Sequence, residues 1–564
     1  MKVELILRNT AFSTLVTLFS MFALSVIGFI FHIPVNIIYP IISFALGILV
    51  LFFNFRKSEN FKQEFLISLF TYCSIFIIST LLGAKFYDSS WDGREYHCAA
   101  IILLKKGWNP IYDEIYNFAS NIYSTKAYGL HWVENYPKFV EIIQANIFTI
   151  FKNIEVSKMT NFVFAFILLL YSYYVLSKSY FKEINHFSKF FISLVLILNP
   201  VYIAQFSTFY IDSYVYICFM LILFSIIDIE TNEKFDYIPW TIFVINAISI
   251  VNVKLGGLLY LLVTTLIYFV YLIMLKQKQK ILFLTKSVII VLVALIISGI
   301  NPYFTNISQD RHPLYPLAGE NKKDIMTPNS PKEFVGSNYL KNLFVSTFSR
   351  VDNLVYESEG KTRLKTPFTV HRSEIRHLMA SDTRICGFGV IWSGIVILSL
   401  ILACFIRYNN SAEKNLFLLI FAILISLTLT NPYSWWARYA THLWTIPIFI
   451  CIPILVKNKL IKTQQIVAFI ILVLMLANSI IQITQSLKQE RHFRKYTNNY
   501  INALKSENKP IKIFGIFDYS LCEKLKNKNV KFEFVSENYY EQNKSDFTKI
   551  PIAINFMYWD RLEK

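Results

Sequence analysis

The sequence predicts an all-α polytopic membrane protein of about thirteen transmembrane helices, with large outer loops and a small C-terminal α/β appendage. Three observations carry that prediction. Hydrophobic residues make up 55% and charged residues 16% of 564 positions, and the mean hydropathy is +0.45, a balance that water-soluble chains of this length seldom show. Apolar runs long enough to cross a hydrocarbon core of ~30 Å recur along most of the chain. Lysine and arginine concentrate in alternate short connections, the asymmetry that sets membrane topology.

Spans are expected near 10–31, 36–54, 64–84, 139–176, 188–204, 211–228, 238–252, 256–274, 287–301, 386–406, 415–430, 439–456 and 464–485. Lys2 and Arg8 precede the first run in the manner of an export signal. The uncharged stretch Asn9 to Phe31 exceeds a signal core of roughly 7 to 15 residues and no small-x-small cleavage site follows, so it reads as an uncleaved span. The 139–176 segment is too long for one crossing and is expected to begin with an amphipathic piece lying on the membrane.

Basic residues from Arg56, Lys57 and Lys62, through Lys178, Lys182, Lys276, Lys278, Lys280, Lys286, Arg407 and Lys414, to Lys457, Lys459 and Lys462 share one side, which is therefore cytoplasmic. The opposite short turns, His32 to Val35, Gln205 to Tyr210 and Asn252 to Gly256, carry one basic residue between them, Lys254. Two long segments, 85–138 and 302–384, then emerge on the outer face. The membrane domain is expected to span 1–485 and an extracytoplasmic appendage 486–564. In the appendage, Ile511 to Phe517 and Val530 to Val535 alternate apolar and polar around the helical pattern Asp518 to Asn527.

The formal charge of +18 is met by cytoplasmic loops facing anionic membrane lipid and calls for no nucleic-acid partner. The second outer loop differs: Arg311, Lys322, Lys323, Arg350, Lys361, Arg363, Lys365, Arg372, Arg376 and Arg384 outnumber its acids and suit an anionic ligand such as a phosphate. The seven cysteines are scattered, mostly within apolar runs, with no C-x-x-C pair, and read as buried structural thiols.

The stretch Tyr87 to Tyr112 follows the third span. A helix starting there would set the carboxylates of Asp88, Asp92 and Glu95 on one face near its N-terminus. Helix capping is one use for them. The other is general-base chemistry, in which a partly desolvated carboxylate takes the proton of an attacking hydroxyl. His97 would orient that base or serve only in packing beside Tyr96. Lys254 is a single cation in an uncharged outer turn, and Arg438 sits among Trp435, Trp436 and Tyr439. Either can hold a lipid-linked phosphate, the alternatives being snorkelling for Lys254 and an interfacial anchor for Arg438. Asp212 either pairs with one of these cations or touches substrate, and Asp382 with Arg384 forms either a local ion pair or a ligand contact.

Asp92 followed by Tyr96, Ala99, Ala100, Gly107 and Pro110 resembles the first outer loop of the GT-C superfamily of membrane glycosyltransferases, which use polyprenyl-phosphate-linked sugars. Tyr210 to Ser213, Asn252 to Gly257, Asp382 to Gly389 and Trp435 to Tyr439 extend the likeness toward a bacterial branch related to dolichyl-phosphate-mannose-type transferases, ArnT-like enzymes among them. The resemblance implies a GT-C-like membrane domain, a bacterial inner-membrane location and an active site on the periplasmic face. It further implies a polyprenyl-phosphate sugar donor and a glycan, lipid or protein acceptor of the cell envelope. Asp92 takes the place of the superfamily's proposed base, while Gly93 stands where a second acid is usual and Glu95 is displaced. Lys254, Arg438 and Arg384 would steady the departing phosphate, with Asp212 and Tyr96 in support. A lipid-linked glycan transporter or flippase and an O-antigen polymerase are the alternatives. Asp88 and Asp92 are oxygen ligands of the type that takes Mg²⁺ or Mn²⁺; without a D-x-D spacing, the reading favours no metal and no cofactor.

Overall fold

Nine helices among the described residues are long and apolar enough to cross a membrane: Val3–Ile30, Ile38–Phe55, Phe61–Lys85, Ile154–Leu176, Asp212–Thr231, Gly257–Met274, Lys278–Ser298, Ser411–Thr430 and Lys462–Ser506. The computed structural model describes residues 3–123, 129–232, 234–353, 362–456, 462–506, 510–513, 519–535 and 537–542. Lys361, Lys457, Lys459 and positions 514–518 of the tail pattern lie outside these residues. Five shorter apolar helices complete the bundle, Phe139–Phe151, His186–Ile197, Tyr237–Val253, Trp392–Ala403 and Thr441–Leu455.

Burial separates an inner ring of helices from an outer one. The apolar stretch of Asp212–Thr231 is 89% buried inside the protein, whereas that of Lys278–Ser298 is 17% buried. Both are apolar, because a helix in lipid gains nothing from hiding hydrocarbon and must only satisfy its backbone internally. Their difference lies in polar content that faces inward. Buried Ser225, Asn246 and Asn252 spend their side chains on carbonyls of their own helices, as the absence of water requires.

The 139–176 segment divides into Phe139–Phe151, a short 3₁₀ turn Ile154–Lys158 and Met159–Leu176, with Lys152 in the left-handed region ending the first piece. Phe139 through Phe148 are all buried, so this piece is enclosed by the bundle and does not lie on the membrane with one face exposed. Glu141, Gln144 and Asn146, which give it an amphipathic look in sequence, all point at protein. Similarly, 188–204 breaks at Asn199, whose side chain caps the helix that Pro200 begins. Cys73 and Cys404 are exposed, unlike the other five cysteines; Cys73 sits on the apolar helix Phe61–Lys85 and Cys404 directly follows the apolar helix Trp392–Ala403.

Two expected spans are shorter than their apolar runs. Helix starts only at Trp392 in the 386–406 run, and irregular or 3₁₀ backbone occupies 431–444 before Thr445–Leu455. These unwound stretches carry Asp382, Arg384 and Arg438 to one end of the bundle. The last span continues as a single 45-residue helix, Lys462–Ser506, through the expected boundary at 485. Beyond it, Ile511–Ile513 pairs in parallel with Phe532–Phe534 around helix Tyr519–Asn527, the α/β unit foreseen for the tail. Lys524 of that helix reaches Glu155 at 2.9 Å, fastening the unit to the membrane domain.

Candidate functional site

A cavity of ≈ 370 Å³ opens at this end of the bundle, lined by Trp91, Asp92, Glu95, Tyr96, Trp132, Tyr136, Tyr210, Lys254, Asn329, Asp382, Arg384, Trp436, Arg438 and Tyr439, among others. Asp92 and Lys254 stand at helix ends, Glu95 in a π-turn, and Asp382, Arg384 and Arg438 in the unwound stretches, where regular α-helical hydrogen bonding stops and a side chain can turn inward.

Asp92 and Glu95 come from the segment that follows Phe61–Lys85. A π-turn, Gly93–His97, leads into helix Cys98–Lys105. Its wider winding brings both carboxyl groups to the cavity wall. Asp88 does not join them. It is buried, and its carboxylate accepts hydrogen bonds from the backbone N–H and hydroxyl of Ser90 and from the N–H of Phe209. Burial pushes its pKa upward, against the opposing effects of Lys158 and these hydrogen bonds. The expectation of three acids on one face therefore fails at Asp88, whose place is structural. Gly93 leaves no room for a side chain: a Cβ there would lie 2.2 Å from Asp88 Oδ2 and 2.3 Å from Ser90 Oγ. His97 also points away from the cavity, with Nδ1 2.6 Å from Glu141 Oε1 in buried surroundings. It braces the helix and is not placed to act on a bound molecule.

The opposite wall is a charge network centred on Arg438. Its Nη2 lies 3.2 Å from Asp92 Oδ2, its Nη1 pairs with Asp382 Oδ1, and its Nε is 3.8 Å from Asp212 Oδ2. The guanidinium packs against the rings of Tyr210, Trp436 and Tyr439, each centroid 5.2 Å away. Lys254 follows helix Tyr237–Val253 and pairs with Asp212, the first residue of Asp212–Thr231. A cation at one helix C-terminus thus meets an anion at a neighbouring N-terminus, the arrangement both helix dipoles favour. Arg384 donates to Asp382 Oδ2 at 2.8 and 2.9 Å and to the carbonyl and side-chain oxygens of Asn329 at 2.9 and 2.8 Å. Trp436 Nε1 holds the Asp382 carbonyl at 2.6 Å. Burial would raise the Asp382 pKa, but Arg438 and Arg384 outweigh it and hold the carboxyl below its ordinary range.

Asp212 with Lys254 and Asp382 with Arg384 form ion pairs, of which Lys254, Asp382 and Arg384 also line the cavity. Lys254, Arg384 and Arg438 balance Asp92, Asp212 and Asp382. The centre of the three aspartates, where a cation is needed, is filled by the Arg438 guanidinium. Among the described residues no group of three His, Cys, Asp or Glu side chains stands ready for a metal ion.

Glu95 is the additional carboxylate, and among the described residues no cation lies within ion-pair distance of it. Burial first, and then the nearby charge of Asp92, push its pKa up to about 7, against a hydrogen bond from Trp91. Tyr96 faces the cavity in an aromatic group with Trp132 and Tyr136, centroids 6.4 and 5.9 Å away.

Sequence reasoning did not anticipate Asp382 as the joint between Arg384 and Arg438, nor the lining by Trp132, Tyr136, Tyr210 and Asn329. The i, i+4 spacing of Trp132 and Tyr136 was a usable signal; Asn329 carried none. Of the cations in the second outer loop, Arg384 alone among the described residues lines the cavity. Comparison of the chain with family models, curated proteins and solved structures finds no match.

Proposed function

We propose that this chain is a GT-C-type glycosyltransferase of the bacterial inner membrane. It would transfer a sugar from a polyprenyl-phosphate-linked donor to a hydroxyl of an envelope glycan, lipid or protein on the periplasmic face. The observation that supports this reading is that the acids Asp92 and Glu95 and the cations Lys254, Arg384 and Arg438 line one cavity of ≈ 370 Å³. A volume of this order suits a sugar phosphate.

Transfer to a hydroxyl needs a base on the acceptor side and positive charge on the leaving-group side. Lys254 has three N–H donors and spends one on Asp212. Among the described residues the buried Arg438 Nε has no hydrogen-bond partner. Both can therefore bind phosphate oxygens while keeping part of their existing network. The fixed carboxylates around them hold the cations in place before substrate arrives, so little reorganisation is needed as charge develops on the departing phosphate. Trp132, Tyr136 and Tyr439 supply flat apolar faces for the sugar ring.

The test is transfer of radiolabelled sugar by the purified protein in lipid, from a panel of polyprenyl-phosphoryl hexoses and pentoses. Label reaching an acceptor supports the reading. Polyprenyl phosphate bound, with no transfer from any donor, would favour the transporter or flippase instead.

A further inference from the structure

We propose that Glu95, and not Asp92, takes the proton of the attacking hydroxyl, while Asp92 acts as a positioning residue for Arg438. This assignment rests on the glycosyl-transfer reading above.

The two acids differ in what already holds them. Asp92 Oδ2 is 3.2 Å from Arg438 Nη2, so that oxygen is already committed to the guanidinium. Glu95 lines the same cavity from the same π-turn and has no such partner among the described residues. Its stem is fixed in another way. Gly129 packs against it so closely that a Cβ there would lie 2.9 Å from Glu95 Cγ and 2.8 Å from the Glu95 carbonyl oxygen. The absent side chain leaves space for the stem, so the Glu95 carboxyl is placed by packing and the Trp91 hydrogen bond and not by a counter-ion.

The surrounding charge keeps this division in place. Asp92, Arg94, Tyr96 and His97 are the titratable neighbours on its own segment, and Lys254, Asp382, Arg384 and Arg438 line the cavity from other segments with Tyr136, Tyr210 and Tyr439. Since the three cations are already matched by Asp92, Asp212 and Asp382, Glu95 experiences little net positive field. Its raised pKa, about 7, is close to that of an effective general base at neutral pH.

The step balances as follows. The acceptor oxygen forms a bond to the anomeric carbon as the bond from that carbon to the phosphate oxygen breaks. The bonding pair leaves with the phosphate, and the acceptor proton passes to the Glu95 carboxylate and then to water.

The experiment compares the native chain with Glu95→Gln and Asp92→Asn in lipid nanodiscs, using the polyprenyl-phosphoryl sugar that the native chain transfers best. Binding of polyprenyl phosphate serves as an independent check of folding. Glu95→Gln is expected to lower kcat about 100-fold with KM and polyprenyl-phosphate binding unchanged. Native kcat/KM should rise with pH through a midpoint near 7, the pKa of Glu95. Asp92→Asn should raise KM and, by removing the charge that helps to raise the Glu95 pKa, move that midpoint downward. Glu95→Gln retaining kcat within about fivefold of native, or Asp92→Asn abolishing kcat at unchanged KM, would overturn the assignment alone. Absence of transfer by the native chain would overturn it together with the reading it rests on.

Discussion

Arg438 and Asp92 stand 346 positions apart in the chain and meet at 3.2 Å, guanidinium to carboxylate. Through that contact the first outer loop is tied to the unwound stretch that precedes Thr445–Leu455. The same guanidinium gathers Asp382 and approaches Asp212, so one side chain fixes the relative positions of four separate segments.

That role depends on the planar fork of arginine, which lysine lacks. Arg438→Lys keeps the charge but can satisfy fewer of the three aspartates. It is expected to reduce sugar transfer about 100-fold, the size of effect seen when one fixed donor is lost from an active site. A steady-state assay of the variant in lipid checks this, and activity equal to native would show that charge alone suffices.

Lys254 and Asp212 should be energetically coupled. Both are largely enclosed, with side-chain exposures of 18% and 3%, and each helix end favours its own partner's sign. A double-mutant cycle of Lys254→Met and Asp212→Asn, read by thermal unfolding, is expected to give a coupling of about 1–3 kcal/mol. Additive effects would mean that the pair contributes nothing to the fold.

Gly129→Ala tests whether packing places Glu95. The added methyl meets the Glu95 stem and carbonyl, and a displacement of about 1 Å at a reacting group is enough to cost about 100-fold in rate. The expected result is a lowered kcat with polyprenyl-phosphate binding retained. A fully active variant would show that the stem has room to move.

The tail should be fastened by charge. Glu155 is buried between Lys158 and Lys524, and Lys524→Met removes the contact from the tail side. Breaking one partner of a buried pair costs about 3 kcal/mol, moderated here because Lys158 remains. Faster proteolysis of the segment after Ser506, with the membrane domain intact, is the expected readout.

Gly93→Ala is expected to destabilise the π-turn. Its methyl would meet Asp88 Oδ2 and Ser90 Oγ, and a forced contact of that kind typically costs about 1–3 kcal/mol. A lowered unfolding temperature checks it, and an unchanged one would mean that the turn can widen.

The sequence by itself determined the all-α character, the positions of most long helices and the α/β pattern of the tail. These follow from local properties: hydropathy over one helix length, and alternation over a few residues. It also singled out Asp92, Glu95, Lys254, Arg384 and Arg438, because a charge beside an apolar run stands out on composition alone. Only the tertiary structure decided how these groups divide their work. Asp88 and His97 share the same short segment as Asp92, yet the π-turn and the approach of Phe209 and Glu141 turn them away from the cavity. Asp382 became the partner of Arg438, and Glu95 was left without a cation among the described residues, through contacts between segments hundreds of residues apart. Such contacts depend on how helix ends meet in space, which no local pattern encodes.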